Sequence, residues 1–255
     1  MSFIRGDGLR KVYDPEGRAV EALHNVNFRV EKGEFVSIIG PSGCGKSTLL
    51  MMCAGLEDIS DGSLTVAEQA MTGPRDDVGI MFQDPTLLPW KTVIENVLFP
   101  ARISRMRIEP VRDRASALLR SVGLQAFERH RPHQLSGGMR QRVSICRALV
   151  NDPSILLMDE PFSALDAITR DQMNVLLLDL WQQQQARTAL FITHSIREAV
   201  LLSDRILVMT KRPATIVQDV VVPFSRPRNS GLAEEMEFNQ LCGRLRGMIE
   251  DSHVG

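Results

Sequence analysis

The chain has 255 residues, 44% hydrophobic and 24% charged, and its 30 basic and 31 acidic side chains leave a formal charge of −1. These are the values of one large globular domain, or of one domain carrying an inserted lobe. A near-neutral balance argues against nucleic acid or anionic lipid as the main electrostatic partner, and no apolar run approaches the roughly 18 residues that cross a bilayer. Met1-Ser2-Phe3-Ile4-Arg5-Gly6 lacks the apolar core of a secretory signal. The four cysteines (Cys44, Cys53, Cys146, Cys242) have no CxxC spacing. A cytosolic protein is therefore expected, with neither export nor a disulfide framework.

In chain order, Glu34-Phe-Val-Ser-Ile-Ile39 is a short β-rich run that stops at glycines and gives way to an apolar helical stretch from Thr48. Val78–Phe82, Ile155–Met158 and Thr188–Ile192 are short apolar runs of the kind buried in parallel sheets. Between them, from about Pro89 to Val150, the pattern is helical, with Val111–Val122 and Met139–Val150 clearest. Met139, Val143, Cys146 and Val150 form one apolar stripe, and Asn151-Asp152-Pro153 ends it. A helix is expected at Ile196–Leu202, and strands at Arg205–Met209 and Thr215–Val222. Pro223–Asn229 is polar, and the glutamines of Gln182–Gln185 read as a polar helix face. Strands alternating with helices predict an α/β fold with a mostly parallel sheet and an inserted helical lobe.

Gly40-Pro41-Ser42-Gly43-Cys44-Gly45-Lys46-Ser47, followed by Thr48, fits the phosphate-cradling pattern G-x-x-x-x-G-K-[ST] between a strand and a helix. Backbone N–H groups must turn inward around phosphate oxygens, and the following helix offers its positive N-terminus to the same anion. Lys46 would reach the β- and γ-phosphates and Ser47 would ligate Mg²⁺. The reading is a nucleoside triphosphate site. Asp159 and Glu160 close the run Ile155–Met158. A carboxylate ending a strand that neighbours the P-loop strand is placed to hold Mg²⁺, through water, and Glu160 is placed to polarise a water for attack on the γ-phosphate.

Such a cradle occurs in many unrelated machines. Leu135-Ser136-Gly137-Gly138-Met139-Arg140-Gln141-Arg142 is more specific: it resembles the signature motif of ABC-type ATPases, and it lies between the P-loop and Asp159-Glu160 as in that family. Ser136, Gly137 and Gly138 begin a helix, making a second anion-binding helix start. The resemblance implies that one subunit's signature closes on the nucleotide of another, giving a homodimer with two ATP between its halves. It implies a P-loop NTPase (RecA-like) core with an N-terminal antiparallel β region, over residues 1–88 and 151–225. It also implies an inserted helical subdomain at 89–150 bearing the signature, and a tail from 226 to 255.

The resemblance further implies that Tyr13 stacks on adenine and that Gln83 senses Mg²⁺ and the attacking water. Ser163-Ala164-Leu165-Asp166 would be the D-loop crossing the dimer interface, and His194 the switch histidine that contacts the γ-phosphate. It covers roughly residues 3 to 225. Met139 stands where glutamine is commoner and Ser195 where aspartate often follows the histidine, and neither removes a phosphate-handling group.

Gln83-Asp84-Pro85-Thr86-Leu87-Leu88-Pro89-Trp90 offers an apolar, proline-stiffened surface beside the sensor, with Leu87, Leu88 and Trp90 expected to form a groove for a partner's helix. Together with Val93–Val97, Arg131–Ser136 and Pro223–Pro227 it resembles the ATP-binding subunits of importers for nitrate, sulfonates such as taurine and related solutes. That resemblance implies ATP and Mg²⁺, integral membrane permease subunits, indirectly an extracytoplasmic solute-binding protein, and a peripheral place on the cytoplasmic face of the inner membrane, without nucleic acid. The alternative is a soluble ABC ATPase acting on DNA or the ribosome. Against it stand the short span from Gly45 to Leu135, which leaves no room for a long coiled coil, and the presence of only one ATPase module. His130 and His133 have no carboxylate or cysteine at ligand spacing and read as surface or interface histidines. The arginines from Arg102 to Arg114, interspersed with Glu109 and Asp113, read as a solvated face.

Overall fold

A computed structural model describes residues 2–14, 17–182 and 187–251. Two sheets organise it. The first is antiparallel, in the order β2-β1-β4-β5, from β1 (Ser2–Tyr13), β2 (Val20–Glu31), β4 (Asp61–Val66) and β5 (Gln69–Ala70). Between β2 and β4 the chain enters the second sheet through β3 (Phe35–Ile39) and leaves by α1 (Lys46–Cys53). That second sheet has the order β10-β9-β3-β8-β7-β6, with β6 (Val78–Met81), β7 (Ile155–Asp159), β8 (Thr188–Ile192), β9 (Arg205–Met209) and β10 (Ile216–Val221). Five of its strands run parallel; β10 pairs antiparallel to β9.

The order corrects one expectation. The strand carrying Asp159, β7, does not adjoin the P-loop strand β3, because β8 lies between them. Strand order depends on which crossovers fold back where, which the run of residues does not state. The separation is bridged by α1, which lies across both β7 and β8.

Alternation along β3 shows why the sheet is buried on both faces. Phe35 and Ile39 point into one apolar cluster with Leu156, Met158, Phe191 and Trp181; Val36 and Ile38 point into another with Leu49, Leu50 and the inner face of the antiparallel sheet. The first cluster is covered by α6 (Ala167–Gln182), α7 (Ile196–Leu202) and α8 (Met236–Asp251). The glutamine tract begins at the end of α6, and residues 183–185 lie outside the described residues.

A third cluster belongs to the helical lobe, where α2 (Val93–Val97), α3 (Phe99–Ile103), α4 (Ile108–Ser121) and α5 (Gly137–Leu149) bury Val97, Leu119, Val143 and Cys146. Thr92 begins α2 with a capping box, its hydroxyl accepting from the Glu95 N–H while the Glu95 carboxylate accepts from Thr92 N–H.

The stretch after residue 225, set apart by its polarity as a tail, folds back on the core. Phe238, Leu241, Cys242 and Leu245 of α8 follow helical spacing and join the cluster beneath α7. Arg228, buried, donates to the carbonyls of Val200, Leu201 and Ser203, satisfying the end of α7. No helix among the described residues is long and apolar enough to cross a membrane.

Candidate active site

The C-terminal ends of the parallel strands open on one edge, the usual location of ligand sites in such sheets. There the chain turns from β3 through Gly40–Gly45 into α1. Gly45 has φ +123°, and a Cβ on it would sit 2.9 Å from the Leu23 side chain and 3.2 Å from the Ala22 carbonyl, so no other residue fits without strain. The helix begins without a side-chain cap and without an acidic residue in its first turn, leaving its N–H groups and positive end to an anion. Lys46 is buried. Its Nζ donates to the carbonyls of Gly40 (3.0 Å) and Pro41 (2.8 Å), which holds the ammonium at the mouth of the loop.

Ser47 Oγ donates to Asp159 Oδ1 at 3.0 Å. Burial pushes the Asp159 carboxyl above its ordinary range, a shift the Ser47 hydrogen bond opposes and the neighbouring Glu160 charge reinforces. Gln83, exposed just past β6, lines the same cleft as Asp159, Gly137 and Leu165. A hydroxyl, one carboxylate and a side-chain amide are hard oxygen donors too few to cage a cation. Among the described residues no three acidic, histidine or cysteine side chains are grouped so as to hold a metal ion by themselves. This donor set suits Mg²⁺, which keeps waters and phosphate oxygens in most of its positions.

Glu160 follows Asp159 with a left-handed backbone, φ +44°, unusual for a glutamate, and its N–H donates to the Ile192 carbonyl at 2.9 Å. The twist swings its side chain toward the end of β8, where His194 Nε2 lies 2.5 Å from Glu160 Oε1. Ser163 Oγ donates to the Glu160 carbonyl at 2.9 Å, so the segment Ser163–Asp166 departs directly from this point. Tyr13 ends β1 beside the P-loop helix, its Oη 3.4 Å from Thr48 Oγ1. One ring face is taken by the Lys11 ammonium, 4.9 Å from the centroid.

Ser136 caps α5, its Oγ accepting from the Met139 N–H at 3.3 Å. Ser136 and Gly137 are exposed; Gly138 packs so closely on α6 that a Cβ would meet Thr169 at 2.6 Å. The Ser136–Gly138 segment therefore abuts α6 and leaves the start of its own helix open to solvent.

The loop from Gln83 to Trp90 is fastened rather than free. Arg147 of α5 donates to the carbonyls of Thr86 (2.9 Å) and Pro85 (2.6 Å). Buried Asn96 accepts from Leu88 N–H at 2.7 Å and donates back to the Leu88 carbonyl at 3.2 Å. The groove beside it has a different lining from the one expected. Leu88 contributes with Phe82, Phe99 and Ile103, whereas Leu87 packs into the lobe's own core and Trp90 stands 67% exposed. Nothing in the sequence marks the roles of Lys11, Asn96, Arg147 and Arg212, whose Nη2 donates to the Gly43 carbonyl at 2.7 Å. Arg147 and Arg212 act on backbone 61 and 169 positions away, and Lys11 and Asn96 act through loop and strand geometry, so no motif marks any of them.

The family model described as ABC transporter matches residues 23–163. An aliphatic sulfonates import ATP-binding protein of Bacillus cereus is 42% identical over 97% of this chain and 98% of its own length. A taurine import ATP-binding protein of Rhizobium johnstonii is 48% identical over 91% of this chain and 89% of its own. Among solved structures, a dimeric post-hydrolysis ATP-binding cassette bound to ADP and Pi is 34% identical, covers 87% of this chain and all of its own, and superposes with a TM-score of 0.76.

Proposed function

The chain belongs to the ABC transporter family as an ATP-binding, ATP-hydrolysing subunit, and from that premise we propose that it powers import of a small organic anion such as a sulfonate. It would do so at the cytoplasmic face of the membrane, bound to separate permease subunits that receive solute from an extracytoplasmic binding protein. The observation that carries the ATPase reading is the convergence, at one sheet edge, of the Lys46 cradle, the Ser47–Asp159 pair and the Glu160–His194 contact.

The residues divide the work as follows. Gly40–Thr48 and Lys46 bind the phosphates, and Tyr13 stacks the adenine on the ring face that Lys11 leaves open. Ser47, Asp159 and Gln83 would hold Mg²⁺, which when bound neutralises charge on the β- and γ-phosphates. Glu160 orients and deprotonates the attacking water, and His194 holds Glu160 and the γ-phosphate. Ser136, Gly137 and Gly138, exposed at the start of α5, complete the nucleotide site of a second copy. Residues 89–150 carry that signature as a lobe on the core. The groove of Leu88, Phe99 and Ile103, stiffened by Arg147 and Asn96, receives a short permease helix, so dimer closure moves the permease.

The import reading is favoured over an ATPase acting on DNA or the ribosome by the full-length match to import subunits. Purifying tagged Glu160→Gln protein from gently solubilised membranes tests it. A multi-span permease in equal stoichiometry is expected; recovery of ribosomes or DNA without a membrane partner would overturn it.

A further inference from the structure

Among the described residues only two carboxylates are buried, Asp159 and Glu198. Phosphate chemistry accounts for the first. Glu198, in the first turn of α7, has no place in that chemistry, and burial pushes its carboxyl above the ordinary range. Burying a charge is costly unless its partners are well placed, so what it holds is informative. Thr193 Oγ donates to Glu198 Oε2 at 2.5 Å, and the Glu198 N–H donates to Ser195 Oγ at 3.3 Å. Thr193 Oγ also accepts from the Ser195 N–H at 2.9 Å. Both chain neighbours of His194 are thus fastened to one glutamate.

The other side of Glu198 faces Arg170 of α6. Its Nε lies 3.9 Å from Oε1, and its Nη2 donates to the Leu165 carbonyl at 2.9 Å. Leu165 belongs to the segment that leaves Glu160 through Ser163. A continuous path therefore runs from the Ser163–Asp166 backbone through Arg170 and Glu198 to the loop presenting His194. Arg170 Nε and Asn174 Oδ1, both buried, have no hydrogen-bond partner within the protein. A cavity lined by Glu160, Ser163, Arg170, Thr193, His194 and Glu198 adjoins the path, leaving room for the arginine to shift.

We propose that Arg170 and Glu198 are positioning residues that set His194 on Glu160 according to where the Ser163–Asp166 segment lies. Contact of a second chain with that segment would thereby be read at the histidine before hydrolysis. The proposal rests on the assignment of His194 to the reaction.

The test is steady-state ATPase of the full chain carrying Arg170→Met, Glu198→Ala, Glu198→Gln, the Arg170→Met/Glu198→Gln pair and, in parallel, His194→Ala, with fluorescent-nucleotide affinity and melting temperature measured for each. Arg170→Met and Glu198→Ala are expected to lower kcat about tenfold with ATP affinity unchanged, since small misplacements of reacting groups are costly. Glu198→Gln, which keeps a hydrogen bond to Thr193, should retain more activity than Glu198→Ala. The pair should be no slower than its slower member, because both act on one path. Arg170 is part-exposed, so its variant decides the matter should Glu198→Ala fail to fold. A kcat for Arg170→Met within about twofold of wild type, or losses that multiply in the pair, would overturn the proposal. Unchanged kcat in His194→Ala would instead remove the premise about the histidine.

Discussion

His194 Nε2 lies 2.5 Å from Glu160 Oε1, although the two residues come from the ends of adjacent strands 34 positions apart. The contact depends on the left-handed backbone of Glu160, which the Ile192 carbonyl fixes through the Glu160 N–H. A glutamate so placed, one residue beyond Asp159, opens onto a cavity it shares with His194, Ser163 and Arg170. Replacing it by glutamine keeps size and hydrogen bonding but removes the base. Turnover should fall by about 10²–10⁴, the worth of a positioned base, with ATP binding retained. Single-turnover hydrolysis and nucleotide titration check this together, and hydrolysis within about threefold of wild type would contradict the role of Glu160.

The phosphate cradle makes a separate prediction. Lys46→Ala removes the buried ammonium from the loop mouth and should abolish nucleotide binding. Gly45→Ala should also weaken it, because a methyl at φ +123° is strained and strikes Leu23. Isothermal titration with ATP reads both, and unchanged affinity in Lys46→Ala would contradict the assignment.

Asn96 is fully buried and staples the Gln83–Trp90 loop through Leu88, with further donations to the Lys91 and Thr92 carbonyls. Asn96→Ala leaves the Leu88 N–H and carbonyl without these partners and should destabilise the chain by about 2–3 kcal/mol. Denaturant unfolding measures the loss. An ATPase rate preserved in the isolated chain, with weakened permease association, would accord with a groove that couples rather than catalyses.

Glu198 gives a pH signature. Its folded pKa is raised by burial, against opposition from Thr193 and Arg170. The folded state therefore holds its proton more tightly than the unfolded state, and this group's contribution to stability rises as pH falls through the raised pKa toward 4.5. Above that window the carboxylate carries a constant penalty. Glu198→Gln lacks the titration, so its stability relative to wild type should be greatest at neutral pH and decline on acidification. Melting temperatures of the two proteins between pH 4.5 and 8 test the sign. A Glu198→Gln protein that is more stable yet slower would separate positioning from folding.

The parallel strands were legible because each is a short, wholly apolar run between turn signals. Val78–Phe82 and Thr188–Ile192 differ from β6 and β8 by at most one residue. Helices α4 and α5 were legible from one apolar stripe each, although both begin earlier than the stripes suggest, since helix starts are set by caps such as Ser136. What local pattern does not encode is partnership across the chain. The antiparallel pair β1–β2 is interrupted by register shifts near Gly6 and Leu9, which blur period-two alternation. The packing of α8 was hidden because its apolar residues, from Phe238 through Leu245 to Met248 and Ile249, form only a narrow stripe on an otherwise polar helix. In the site, the P-loop residues share one stretch of sequence and were readable from it. The Arg170–Glu198 pair, Arg147 and Arg212 matter through partners that folding brings near.

The proposed function requires nucleotide sites completed between two chains, with Lys46 from one and Ser136 from the other. Mixing Lys46→Ala protein with Ser136→Arg protein tests this most directly, because each variant alone lacks one half of every site. Half the dimers in an equal mixture are mixed and each holds one intact site of two, so the mixture should recover about a quarter of wild-type ATPase activity. A mixture as inactive as either variant alone would mean that Ser136 does not complete the site of a second copy.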